Sequence, residues 1–137
     1  MKEFTLEIMT PEHMFFSGKA TSVTVTLSDG MFTILAGHAP MVAALDVGEL
    51  YFCSEGKRQE CAASEGFLEV TTDGRVIVFA QACEHAEDID VCRAKAAAER
   101  AKGRLADSKS MREYQLTRIA LARAMNRLRI TDRHHLE

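Results

Sequence analysis

The sequence predicts an α+β fold: short strands at the spacing of a sandwich, followed by two antiparallel helices. Three observations carry this. Charge changes sign near Glu84, with 5 Lys and Arg against 12 Asp and Glu in residues 1–84 and 12 against 8 in residues 85–137. Hydrophobic periodicity changes at the same place, from alternation to helical spacing. Gly-containing turns punctuate the first half, whereas the second has one Gly and no Pro. The expected domains are therefore residues 1–84 and 85–137.

In the first half, Phe4, Leu6 and Ile8 alternate with Thr5, Glu7 and Met9, the pattern of a half-buried strand, and Thr10-Pro11-Glu12 closes it because Pro cannot donate to a ladder. Val23, Val25 and Leu27 alternate up to the turn Asp29-Gly30, and Met31 to Leu35 resumes an apolar run, which reads as a hairpin. Further strands are expected at Glu49–Ser54, Arg58–Ala63, Phe67–Thr71 and Arg75–Phe79, separated by Glu55-Gly56, Glu65-Gly66 and Asp73-Gly74. Such regular spacing points to a sandwich.

In the second half, Asp88 is placed to cap a helix running to about Leu105, with Asp90 in its first turn, where the positive helix end favours a carboxylate. Ser110-Met111-Arg112-Glu113 has the Ser-x-x-Glu spacing of a capping box and starts a second helix at Met111. Tyr114, Thr117, Leu121, Ala124 and Leu128 form its narrow contact stripe, facing Ala94, Ala97, Ala98 and Ala101 of the first helix. An Ala-built interface buries few methyl groups, and each methylene-sized group contributes only about 0.8 kcal/mol, so closure of the hairpin is expected to be marginal. Arg93 and Arg100 share one face of the first helix, and Arg123 and Arg127 share one face of the second. Brought together, these guanidiniums repel one another unless an anion is shared among them, and a polyphosphate suits that need. The plainer reading is a solvated basic face.

Other classes are disfavoured. No stretch approaches the ~20 apolar residues of a bilayer span, and the amino terminus alternates rather than forming a signal core or a transit peptide, so a bacterial-type cytosolic product is expected. Cys53, Cys61, Cys83 and Cys92 show no C-x-x-C spacing and read as reduced thiols, although Cys53 and Cys61 flank a turn and are candidates to face one another across it. His13, His38, His85, His134 and His135 give no metal-ligand pattern. No nucleophile, base and orienting group are grouped, no Gly-rich phosphate loop is present, and neither catalytic nor metal-binding residues are assigned.

Thr10-Pro11-Glu12, Phe16-Ser17-Gly18, Ile34-Leu35-Ala36-Gly37-His38-Ala39-Pro40, Gly66-Phe67-Leu68-Glu69-Val70 and Glu87-Asp88-Ile89-Asp90 occur in collinear order over nearly the whole chain. In that order they resemble the epsilon subunit of the F-type ATP synthase, in its ATP-binding bacterial form. The family often has Pro where Ala36 stands, and often a Pro-Gly step where this chain has Thr26-Leu27-Ser28, two departures that bear on local loop geometry.

The resemblance implies a flattened antiparallel β-sandwich that clamps the rotating central stalk, with the gamma subunit and the c-ring as partners. It implies a C-terminal helical hairpin that opens toward the alpha and beta catalytic subunits and hinders ATP hydrolysis. The chain would be a non-catalytic coupling and regulatory subunit without a catalytic cofactor, peripheral on the cytoplasmic face of the bacterial cell membrane, and would bind no nucleic acid. ATP would be its regulatory ligand. Ile89-Asp90-Val91-Cys92-Arg93-Ala94 resembles the family's Ile/Leu-Asp-x-x-Arg-Ala segment. Glu84, Ile89, Asp90 and Ala94 then fall at the adenosine end, and Arg93, Arg100, Arg123 and Arg127 at the phosphates. The alternative is a free-standing module whose basic helices contact nucleic acid or an acidic protein. Tyr114 is the one aromatic residue in residues 85–137, so a stacking platform for single strands is missing.

Overall fold

The computed structural model describes residues 2–136, with side chains described as far as Arg133; His134 and His135 lie outside the described side chains. The chain divides into two compact units, residues 1–85 and 86–137.

The first unit contains ten strands: β1 (Phe4–Met9), β2 (Met14–Ala20), β3 (Ser22–Leu27), β4 (Gly30–Leu35), β5 (Met41–Leu45), β6 (Gly48–Ser54), β7 (Lys57–Ala63), β8 (Gly66–Val70), β9 (Val76–Ala80) and β10 (Cys83–His85). They form two five-stranded sheets, in the orders β2-β1-β9-β8-β5 and β10-β7-β6-β3-β4. Leu6, Ile8, Val23, Ile34, Phe52 and Val78 lie in the core between the sheets, and in β1, β6 and β9 the alternation became an inward and an outward face. Gly30 closes the β3–β4 hairpin at φ 126°, a value that L side chains rarely adopt.

The strands expected from alternation are present, and three were not expected. β2 and β5 have little alternation in residue type, and β5 is rich in Ala, a poor strand former, so pairing with β1 and β8 decides their state. β10 is three residues long and pairs only with β7. One pair departs from the antiparallel expectation: after the turn at residues 71–75, β9 lies parallel to β1, with Leu6 opposite Val76.

The proposed facing of Cys53 and Cys61 is corrected. Cys53 pairs with Arg58 and Cys61 with Leu50 across the β6–β7 hairpin, an odd offset that puts the two thiols on opposite faces of the sheet. None of the four cysteines, all of them described residues, is joined in a disulfide. The Cys61 thiol instead lies 3.9 Å from Nδ1 of His85, whose ring packs 4.5 Å from that of Phe15.

In the β8–β9 turn the Thr71 hydroxyl donates to the Asp73 carboxylate. That bond, helped by the Arg75 guanidinium, holds the Asp73 carboxyl below its ordinary value of 3.8. A depressed carboxyl contributes stability that is complete above the ordinary value and is lost as pH falls through the lowered one. Carbon-detected NMR titration should place the Asp73 midpoint below 3.8, and Thr71→Ala should move it back up.

The second unit opens with a single 3-10 turn, Ala86–Asp88, followed by α1 (Val91–Ala106) and α2 (Met111–Leu136). The cap of α1 is Asp90 rather than Asp88, because Asp88 is consumed by the 3-10 turn. Oδ1 of Asp90 accepts the Arg93 N–H at 3.0 Å. α1 stops at Asp107, whose N–H returns to the Arg104 carbonyl, and the Ser108 hydroxyl donates to the same carbonyl at 2.9 Å. Ser110 caps α2, its hydroxyl oxygen accepting the Glu113 N–H at 3.1 Å.

Candidate functional site

The helices pack side by side along α1 residues Ala94, Ala98 and Ala101, all buried. The matching stripe on α2 is Thr117, Leu121, Ala124 and Leu128, of which Thr117 and Ala124 are buried and the two leucines half-buried. Tyr114, expected in this stripe, is 38% exposed. Thr117 tolerates burial because its hydroxyl donates to the Glu113 carbonyl at 2.8 Å.

One position before the contact residues of α1 stand Arg93, Ala97 and Arg100, with Arg104 one position before the half-buried Leu105, and one before each of α2 stand Leu116, Ala120, Arg123 and Arg127. A step of one residue turns a helix by 100°, and in two antiparallel helices the same step turns toward the same side. Both flanking stripes therefore border one groove. A cavity of about 210 Å³ in that groove is lined by Ala97, Arg100, Ala101 and Arg104 of α1 and by Leu116, Thr117 and Ala120 of α2. It lies toward the connecting turn, and Arg93, Arg123 and Arg127 fall on the same flank nearer the start of α1.

Seven of the eight expected site residues belong to this unit. Ile89 and Ala94 are buried, Asp90 caps α1, Arg93 and Arg100 are exposed, and Arg123 and Arg127 are half-buried. Glu84 lies in the first unit, on β10 opposite Ala62. Asp90, Ile89 and Ala94 each have a structural duty, as cap and as apolar packing; the arginines of α1 have none. Among the described residues, Arg93, Arg100 and Arg104 take part in no ion pair. The sequence reading missed Arg104, although it lies four residues beyond Arg100, the spacing that puts two side chains on one face. Among the described residues no cluster of His, Cys, Asp and Glu is placed to hold a metal, and no helix is long and apolar enough to cross a membrane.

A two-sheet β-sandwich followed by two packed helices is a two-part architecture, and each part has its counterpart among known protein families. Residues 3–86 match the family described as ATP synthase, Delta/Epsilon chain, beta-sandwich domain, and residues 87–132 match ATP synthase, Delta/Epsilon chain, long alpha-helix domain. The chain is 44% identical over 133 residues to the ATP synthase epsilon chain of Ruminiclostridium cellulolyticum, covering 97% of this chain and 98% of that one. It is 42% identical over 127 residues to that of Desulforamulus reducens, covering 93% and 96%. Its fold matches a chain of the Euglena gracilis mitochondrial ATP synthase structure with TM-score 0.79 at 23% identity, covering 98% of this chain and 82% of that one. A chain of the Tetrahymena thermophila mitochondrial ATP synthase matches with TM-score 0.69 at 12% identity, covering 95% and 97%.

The chain belongs to the ATP synthase delta/epsilon family, as an epsilon chain of the bacterial F-type enzyme. It is a non-catalytic subunit of that synthase.

Proposed function

We propose that this subunit couples rotor to catalytic head and restrains ATP hydrolysis through its helices, with ATP as the signal that holds the hairpin closed. The observation that carries the reading is the groove: Arg93 and Arg100 on α1, and Arg123 and Arg127 on α2, border the same flank of the hairpin. Four guanidiniums around one groove repel each other and attract a triphosphate, and a planar guanidinium meets phosphate oxygens in pairs of bonds. Ile89, Asp90 and Ala94 at the start of α1, with Glu84, form the adenosine end in this reading.

The partners follow the same reading. The sandwich fastens to the gamma subunit and the c-ring within the central stalk, and the basic α2, with Arg112, Arg118 and Arg129, meets acidic segments of the alpha and beta subunits when the hairpin opens. The solved neighbours come from structures titled for OSCP/F1/c-ring and for central stalk/cring, which supports that placement. Through these partners the subunit sits at the cytoplasmic face of the membrane. ATP shifts the equilibrium only through its preference for the closed state, so closure must follow ATP concentration and low ATP must release the brake.

Calorimetric titration of the full chain with ATP, ADP and GTP tests the site. Each charge-assisted bond is worth about 1.5–3 kcal/mol, so Arg93→Ala and Arg127→Ala should each weaken ATP binding roughly tenfold or more. Unaltered affinity in both variants removes the site. The sensor role is separate: hairpin closure, read from a fluorophore pair on α1 and α2, should rise with millimolar ATP, and indifference to ATP rejects it.

A further inference from the structure

We infer that the groove takes a phosphate chain longer than three units, a nucleoside tetraphosphate or linear polyphosphate, with Arg104 as the cation at its far end. This rests on the nucleotide reading above and extends it along the helix axis. At 1.5 Å of rise per residue, Arg93 and Arg100 are separated by about 10 Å along α1, and Arg104 lies about 6 Å further on. On α1 the arginines assigned to a triphosphate end at Arg100, whereas the cavity, which begins beside Ala97, runs past Arg100 to Arg104.

Among the described residues that line the cavity, every charged group is positive. Its floor is made of Ala97, Ala101 and Ala120, which leave room that larger side chains would fill. Arg100 and Arg104 are four residues apart, an arrangement in which like charges on a helix repel. Neither carries an ion pair among the described residues. An additional phosphate placed between them replaces that repulsion with two charge-assisted bonds. A solvated surface pair would need no cavity beside it.

The test titrates the full chain with ATP, adenosine 5′-tetraphosphate and inorganic tetraphosphate, in wild type and in Arg104→Ala and Arg104→Lys. Wild type should bind adenosine tetraphosphate about tenfold more tightly than ATP, the gain expected of an added charge-assisted contact. Arg104→Ala should erase that preference while still binding ATP, and Arg104→Lys should restore part of it. Inorganic tetraphosphate binding as tightly as the adenosine compound supports the longer chain and identifies polyphosphate as its source; weaker binding supports it with a nucleotide as the source. Equal affinity of wild type for ATP and adenosine tetraphosphate overturns the inference and leaves the ATP site standing. A preference that survives in Arg104→Ala overturns the role of Arg104. Tetraphosphate binding through Arg104 without ATP binding upholds this inference while removing the ATP reading, and failure of both ligands to bind removes both. Arg104 projects from the exposed side of α1, and an unchanged helical circular dichroism signal verifies that the variants fold.

Discussion

Phe52→Ala is expected to destabilise the sandwich by about 3–5 kcal/mol, the usual cost of emptying a fully buried phenylalanine site. Phe52 is 0% exposed in β6, and its ring lies 4.5 Å from that of Phe16 on β2, in the other sheet. One substitution thus removes both core volume and an aromatic pair that joins the two sheets. Against a total stability of about 5–15 kcal/mol for an ordinary domain, the loss is a fifth or more. All seven phenylalanines lie in residues 1–84, so near-ultraviolet circular dichroism reports this unit almost alone. In urea denaturation followed that way, the midpoint should fall sharply, and a shift worth less than about 1 kcal/mol would mean that neighbouring strands collapse into the gap. Phe16→Ala should cost less, since Phe16 is half-buried.

Strands whose faces differ strongly were legible in the sequence. β1, β6 and β9 declare themselves because each alternates between core and outer surface over five residues or more, and β3 does so by residue type, although Thr24 is buried along with Val23 and Val25. β2, β5 and β10 were not legible. Their burial is uneven and their state is decided by partners far away in sequence, such as Ala20 opposite Phe4 and Val70 opposite Met41. The parallel pairing of β9 with β1 is likewise a topological fact that no local pattern encodes. Helix limits were readable to within a residue or two. The cap moved from Asp88 to Asp90 because a 3-10 turn and a helix start compete for the same acidic run, Glu87-Asp88-Ile89-Asp90.

The candidate site was partly legible for a similar reason. Spacing alone shows that Arg93 and Arg100 share a face and that Arg123 and Arg127 share another. That the two faces turn to one side depends on which stripe of each helix is buried, and this emerges only when Ala94, Ala98 and Ala101 meet Thr117 and Ala124. Arg104 is within reach of the same arithmetic, one turn beyond Arg100 on the same face, but has no place among the family's phosphate-facing arginines. The charge asymmetry of the chain acquires a physical role here. A basic hairpin closed by small residues has little apolar area holding it shut, so in the function proposed above a bound anion and an acidic partner compete for the same guanidiniums.

Gly66→Ala is the second change with a large expected effect, and it explains why the Gly66-Phe67-Leu68 strand begins with glycine. A methyl group built on Gly66 would lie 1.9 Å from the carbonyl oxygen of Phe79 and 2.9 Å from the Ala80 Cα. These are backbone atoms of the neighbouring strand, so no side-chain rotation relieves the clash; β8 and β9 must part, and the pairs Gly66–Ala80 and Phe67–Phe79 open with them. Overpacking ordinarily costs about 1–3 kcal/mol, and a backbone collision belongs at or above the upper end of that range. Gly103→Ala is the contrasting case. Gly103 lies inside α1 with open space where a Cβ would stand, and Ala is favoured over Gly in a helix interior by about 0.8–1.0 kcal/mol. Denaturant titrations should show the sandwich transition of Gly66→Ala moving to much lower urea and the helical transition of Gly103→Ala moving to higher urea. A Gly66→Ala chain as stable as wild type would mean that the two strands are not in the close register described here.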